Sequence, residues 1–376
     1  MTTIDSSFSI NFISTESLKK ISGGWSGNNF NIHSRINQHL NTTYIGPVNP
    51  RIPAFASIVS KSQKALGLKR NLAFFSHKRL TSVRNIVRTQ LNNQCSFNFF
   101  WGQMPWLYCD FEQPYGVYLD ATIRTYLKVF LPNEKFREKE IQRVEKLEER
   151  WLSNATHIFW GSDWAKNEAS KTMNINCANQ QTVWVGGNID IPKNDTYNGG
   201  YNFLFIALRF KEKGGLTAIK AFEKIKTQYP SAILTIVGEA PPPEWINKPG
   251  IQYIGYLNKN IASDLLRFKT LLSQAFCLIH PTQMDTLGQV IIEAGYFGCP
   301  TIAPNCFGIP ELVIHNKTGF IMDLPFDESD VAQAMLKMLT DINNYTEMRK
   351  AVRLHCTREL NFDVITNKIL HSICHE

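Results

Sequence analysis

Hydrophobic positions along this chain alternate between two rhythms. Short apolar runs are separated by segments whose apolar residues return every three or four positions, which is the pattern of strands and helices in turn. In the first half, FSINFIS predicts a strand, KKISGGWSGNN a glycine-rich loop and FNIHSRINQHL a helix. TTYIGPV predicts a second strand, residues 55–68 an amphipathic basic helix, and LAFFS a third strand. The densely charged stretch 134–152 places Ile141, Val144, Leu147 and Trp151 on one helical face. THIFW then predicts a strand, SDWAKNEASKTM a helix capped by Ser162 or Asp163, and TVWVGG a strand. WLYCD, ending at Asp110, also reads as a strand.

Residues 192–200, PKNDTYNGG, have the composition of a linker. Beyond them the alternation restarts. YNFLFIAL is a strand, RFKEKGG a loop, LTAIKAFEKIKTQYP a helix, AILTIVGEA a strand ending in a glycine turn, and IQYIGYL another strand. A helix over 261–273 precedes the strand FCLIHP. The run MDTLGQVIIEAGYFGCP predicts the next helix, TIAP a strand, GIPELV a helix start and GFIMDL a last short strand. From Asp327 onward the pattern is helical. Repeated strand–helix alternation implies α/β architecture with parallel sheets covered on both faces. The expected division is 1–194, 195–357 and a C-terminal helix 358–376 packing back on the first domain. The carboxyl ends of the two sheets would then face a cleft, where open α/β sheets bind ligands.

A length of 376 residues, 43% hydrophobic and 19% charged, is that of an ordinary globular chain with two cores. The eight cysteines are scattered without CxxC or Cys/His spacing; this argues against a zinc site and for a reducing, cytoplasmic compartment. The N-terminal MTTIDSSFSINF lacks a basic-then-apolar pattern, so no signal peptide is expected. No apolar run approaches the ~18 residues of a membrane span. The net charge of +8 is unevenly placed: no acidic residue lies between Glu16 and Asp110, while twelve lysines and arginines do. Such a field attracts an anionic partner or is a solvated basic face. No RNP, KH, zinc-finger or helix-turn-helix signature accompanies it, so nucleic acid is not expected.

Candidate chemistry lies in the loops after the second-half strands. Arg209 and Lys213 flank a glycine turn, a combination suited to a diphosphate, although such residues are also common in plain surface loops. If Thr286, Leu287 and Gly288 open a helix, their free N–H groups favour a phosphate. Glu293 lies ~10 Å further along at the helical rise, about the distance from sugar to ribose in a nucleoside diphosphate sugar. Asp285 would face the sugar and Glu293 the ribose hydroxyls, which explains a carboxylate in an apolar run. The plainer alternative has Asp285 capping the helix and Glu293 pairing with a core cation.

The order R-x3-KG, V-G-E-A, H-P-x3-D-x7-E-A-x3-G-x-P-x-I-A, G-x-P-E and N-x-T-G-F resembles the C-terminal domain of family-four retaining glycosyltransferases, which have the GT-B fold of two Rossmann-like αβα domains. The resemblance is dense over about 200–325 and continues more weakly at GGWSGNNF, residues 120–122, SDWA and VGGN. It implies that Arg209 and Lys213 neutralise the leaving diphosphate. Asp285 would hold the transferred sugar, Glu293 the ribose, and the amides of Thr286, Leu287 and Gly288 the distal phosphate. Gly238 would lie beside the nucleotide, and Glu311 would stabilise the glycine loop lining the donor site. Two departures stand out: Asp285 replaces the commoner Glu, and VGEA lacks a second glycine.

Further implications are a nucleoside diphosphate sugar as donor, no metal or other cofactor, and front-face transfer with retention. Consistently, no DxD, HEXXH or Ser/His/Asp constellation is present. In the first domain, Gly23, Gly24 and Gly27 resemble the glycine loop approaching the donor phosphates, and Asp120 the acid contacting the sugar, with Asp110 its rival. The acceptor would be a glycan or a lipid-linked group, and the basic half would touch the anionic cytoplasmic membrane face. The alternatives are a nucleotide-sugar epimerase of the same architecture and a non-catalytic binding module.

Overall fold

The computed structural model describes residues 8–374 except Ser22, Gln103 and Asn247; residues 1–7 of the expected leader-free N-terminal stretch lie outside the described residues. The chain forms two compact units. The first comprises Met1–Lys20, Asn29–Trp184 and Thr366–Glu376, and the second Ile21–Asn28 and Val185–Ile365.

The first unit contains β1 (Ser9–Ile13), β2 (Asn41–Ile45), β3 (Phe97–Trp101), β4 (Tyr115–Leu119), β5 (His157–Trp160) and β6 (Gln180–Thr182), in the order β2-β1-β3-β4-β5-β6. Every ladder is parallel. Strands β3 and β4 are buried along their whole length, as parallel strands covered on both faces must be. Phe100, Trp106, Trp151 and Trp160 form the aromatic centre of this core, with Trp151 Nε1 donating to the Cys109 carbonyl at 2.9 Å. Ser162, not Asp163, caps the helix Asp163–Ser170 by accepting from the Ala165 N–H.

The second unit contains β7 (Asn202–Ala207), β8 (Ile233–Gly238), β9 (Ile251–Gly255), β10 (Cys277–Ile279), β11 (Thr301–Pro304) and β12 (Gly319–Met322). The order β9-β8-β7-β10-β11-β12 is again wholly parallel. Chain order reverses between β7 and β10, the switch point at which an open α/β sheet leaves a crevice for ligand. The helix Gly215–Lys226 buries Ala218, Ile219, Phe222 and Ile225, one face of a 3.6-residue period. Asp327 opens the helical tail with a capping box to Asp330.

Five expectations are corrected. LAFFS is a 3-10 turn at Ala73–Phe75 rather than a strand; the strand next to β1 is FNFFW at 97–101. Short aromatic runs are compatible with either state, and only pairing partners decide. WLYCD is a turn, with Asp110 in an exposed ion pair to Arg84 at 3.6 Å. The strand expected at TVWVGG ends at Thr182, because Trp184 turns the backbone to a positive φ of 62°. The unit boundary falls at Trp184/Val185 rather than after the linker. The linker-like residues are held in the second unit instead, where Arg349 pairs with Asp195 at 2.7 Å and Arg353 donates to the Pro192 carbonyl at 2.5 Å. No break falls at 357/358, since one helix runs Ile342–Glu359. From Thr366 the chain belongs to the first unit, where Ser372 Oγ donates to Gln181 Oε1 at 2.8 Å. Among the described residues no helix is long and apolar enough to cross a membrane.

Arg349 is the polar anchor of the second unit. Besides Asp195 it donates to the Ala275 and Phe297 carbonyls at 3.0 and 2.8 Å, and it is buried. Arg349→Met should therefore leave two buried carbonyls without this donor and Asp195 without its cation, costing about 3–5 kcal/mol. Chemical denaturation checks this, with Asp195→Asn expected to cost visibly less.

Candidate functional site

Strands β7 and β10 end side by side, and the loops that leave them carry the candidate residues. After β7 the chain turns through Arg209–Gly214 into the helix Gly215–Lys226. Gly214 has φ 79°, and a Cβ there would lie 2.2 Å from the Pro281 carbonyl oxygen. Glycine is therefore required for the β7 loop to seat against the chain leaving β10. Gly238 is equally constrained: it has φ 112°, and a Cβ would lie 1.9 Å from the Ala207 carbonyl. The Glu239 carboxylate fixes the loop further by accepting the Phe210 N–H at 2.5 Å. This gives the acid in VGEA, the turn that lacks a second glycine, a structural role.

The seating brings Lys213 and Asp285 together, Nζ to Oδ2 at 2.5 Å. Asp285 Oδ1 accepts the Thr286 N–H at 3.0 Å. Burial pushes the Asp285 pKa up, but the Lys213 charge and His280 outweigh it and hold the carboxyl well below its usual range. His280, buried, places Nε2 at 3.4 Å from the same oxygen. Its own pKa is lowered by burial against the pull of Asp285, so at neutral pH the ring is uncharged. Arg209 is exposed, with Nη1 3.1 Å from Met284 Sδ, beside Asp285 in sequence.

The expected helix start is corrected. Thr286, Leu287 and Gly288 precede the helix Gln289–Tyr296, with Gly288 as its left-handed N-cap residue. Leu287 is buried, and the Thr286 carbonyl is taken by the Gly308 N–H at 2.9 Å. Glu311 lies in the short helix Ile309–Leu312, its N–H donating to the Gly308 carbonyl at 3.2 Å. The segment preceding the helix Gln289–Tyr296 is thus tied to the segment carrying Glu311.

Glu293 is only 2% exposed. Its Oε1 accepts the Asn188 N–H at 3.0 Å and Lys259 Nζ at 2.5 Å. The plainer reading of this carboxylate therefore has a named cation, while Oε2 has no hydrogen-bond partner among the described residues. Asn188 also donates from Nδ2 to Gln289 Oε1, Asn28 Oδ1 and the Gly24 carbonyl, at 3.0, 2.9 and 3.0 Å. Gly23 and Gly24 have positive φ with open space where a side chain would be. They belong to the second unit, not to the first as expected.

Asp120 follows β4 in the first unit, half-buried. Lys259, Asn188 and His280 escaped the sequence reading. VGGN and HP carried some signal for the last two, whereas Lys259 sits in a polar NKN loop resembling any surface turn. Among the described residues no three His, Cys, Asp or Glu side chains are grouped to hold a metal.

Lys213→Met should leave the half-buried Asp285 carboxylate without its cation. An aspartate with a depressed folded-state pKa stabilises the fold above its unfolded value, near 3.8, and loses that contribution as pH falls below it. The destabilisation caused by Lys213→Met should thus be full at pH 7 and shrink below that value. Denaturation series at several pH values, compared with wild type, measure it.

The comparisons with known proteins agree with this geometry. Residues 188–355 match the family model for glycosyl transferases group 1. The GDP-mannose-dependent alpha-(1-6)-phosphatidylinositol monomannoside mannosyltransferase of Mycobacterium tuberculosis is 32% identical over 166 residues, covering 42% of this chain and 43% of that protein. The match therefore spans less than half the length of that relative. Among solved structures, Anabaena HepE in complex with UDP and glucose superposes with a TM-score of 0.65 at 14% identity, covering 98% of this chain and 99% of HepE. The sucrose-phosphate synthase of Thermosynechococcus elongatus gives 0.68 at 14% identity, covering 96% and 97%. These likenesses establish the GT-B fold. Over residues 188–355, the chain is similar to the glycosyl transferases group 1 family.

Proposed function

We propose that this protein is a retaining glycosyltransferase that moves a sugar from a nucleoside diphosphate sugar to a glycan or lipid-linked acceptor. The reading rests chiefly on the Lys213–Asp285 pair, set with the exposed Arg209 at the switch point between β7 and β10. The pair keeps one cation and one ionised carboxylate side by side, which matches a donor with adjacent diphosphate and sugar hydroxyls. Lys213 and Arg209 take the diphosphate charge and Asp285 accepts sugar hydroxyls. Glu293 Oε2, beside the Oε1 that Lys259 and Asn188 already satisfy, accepts from the ribose.

In the reaction the bond from the anomeric carbon to the diphosphate oxygen breaks while the acceptor oxygen bonds to the same face. The acceptor's proton passes to the leaving diphosphate, so no separate strong base is needed. Fixed cations stabilise the charge that develops on the leaving group, and the chemistry is proposed to run without a metal. The mycobacterial relative's donor is GDP-mannose and HepE was solved with UDP; the base used here is left to experiment. We place the reaction in the cytoplasm, with the basic first unit in peripheral contact with an anionic membrane face.

Calorimetry with UDP, GDP, ADP and their sugars should show saturable binding of one nucleotide class. Glu293→Gln should weaken it by about tenfold, the worth of one charge-assisted hydrogen bond. Lys213→Ala should lower turnover by ~10²–10³, and NMR of the product should show the donor's anomeric configuration kept. No binding of any nucleotide by folded wild type would refute the transferase. Interconversion of the donor sugar without release of nucleoside diphosphate would replace it with the epimerase.

A further inference from the structure

The helix Ala54–Ala65 in the first unit buries only one edge. Ser60 is its buried residue, and Gln63 Oε1 accepts the Asn71 N–H at 2.9 Å. On the outward side, Phe55 is 81% exposed and Ile58 62%, and in the turn that follows Leu66 is 73% and Leu68 53% exposed. Phe55, Ile58, Ser62 and Leu66 are spaced three, four and four residues apart, so they line one stripe of the helix. Four large apolar side chains within fourteen residues, all more than half exposed, form an apolar patch beyond the scattered surface leucine of an ordinary fold.

The charge around this stripe is predominantly positive, with Glu134 and Glu138 the acids beside it. Arg51, Lys61, Lys64, Lys69 and Arg70 flank it, and no acid occurs in the sequence from residue 17 to 109. Lys64 and Arg70 share Glu134, at 2.6 and 2.5 Å. Arg51, Lys61 and Lys69 enter no ion pair among the described residues. We propose that this face, residues 51–69, docks the protein on an anionic lipid surface, with Phe55, Ile58, Leu66 and Leu68 inserted at the headgroup boundary and Arg51, Lys61 and Lys69 against lipid phosphates. The inference rests on the membrane contact suggested above and gives it a location.

Charge complementarity selects this occupant. A second copy meeting the same face would set Arg51, Lys61 and Lys69 against their own equivalents, with Glu134 already shared by Lys64 and Arg70. A soluble glycan would leave Phe55 and Leu66 without an apolar environment. An anionic bilayer supplies both: acyl chains for the stripe, and roughly 1 kcal/mol per basic residue at its surface.

The test is sedimentation of the full chain with vesicles of phosphatidylcholine alone or with one third phosphatidylglycerol, at low and high salt. Wild type should bind the anionic vesicles and bind the neutral ones far less. The triple variant Phe55→Ser, Ile58→Ser, Leu66→Ser should lose at least about tenfold in partitioning at both salt concentrations, since each side chain gives up its burial. Lys61→Glu with Lys69→Glu should lose binding mainly at low salt, where screening is weak. The single Phe55→Ser serves should the triple variant fail to fold. Wild-type binding by the triple variant, or a wild-type dimer that this variant dissociates in the absence of vesicles, overturns the inference. Nucleoside diphosphate binding measured alongside separates the two proposals: vesicle binding lost with nucleotide binding intact rejects only the docking face, and the converse rejects only the transferase.

Discussion

A carboxylate withdrawn from water has to be matched by a cation, and the second unit is organised around two such matches, one buried in an apolar helix and one half-buried in a loop. Glu293 stands among Ile291, Ile292, Ala294 and Tyr296, all buried, and Lys259 reaches it from the loop after β9. Asp285 stands in the loop after β10, and Lys213 reaches it from the loop after β7. Removing a charge from water costs several kcal/mol unless it is paired. Each pair therefore helps to fix where two distant segments meet.

The backbone makes those meetings possible. Gly214 and Gly238 sit where any side chain would collide with a neighbouring carbonyl, so the loops leaving β7 and β8 approach their neighbours to main-chain distance. Glu239 then fixes the loop through the Phe210 N–H. Asn188, at the head of the matched family region, continues the network from Glu293 to Gln289, Asn28 and Gly24. The chemistry proposed for the site uses what this network leaves over: one oxygen of Glu293, the Arg209 guanidinium, and a lysine already beside an ionised carboxylate.

The first unit contrasts with this. Its largest buried cation, Arg79, pairs with no carboxylate among the described residues and is satisfied by the Pro50 and Phe74 carbonyls and Asn49 Oδ1. Its remaining basic residues stay mostly at the surface. The positive charge of this half is therefore a surface property, available to a partner, and does not hold the fold together.

How much of this was legible depends on the range of the interaction. Strands β7 to β12 and the helices between them follow from local periodicity and turn residues, because each buries a continuous run or a single face. The β7 and β10 loops were recognisable as chemical from their residue types and order. FNFFW and YGVYL were missed and LAFFS misread, since a short aromatic run becomes a strand only when a neighbour offers its backbone. The unit boundary escaped for a similar reason: PKNDTYNGG has a linker's composition, but Arg349 and Arg353, more than a hundred and fifty residues away, hold it in place. Lys259 was invisible because nothing local distinguishes a lysine in a polar loop from one that will meet a buried carboxylate. Sequence alone determined the α/β class, the alternation and the residue types of the site. Tertiary structure decided the strand neighbours, the boundary and the partner of each buried charge, because these depend on contacts between segments far apart in the chain.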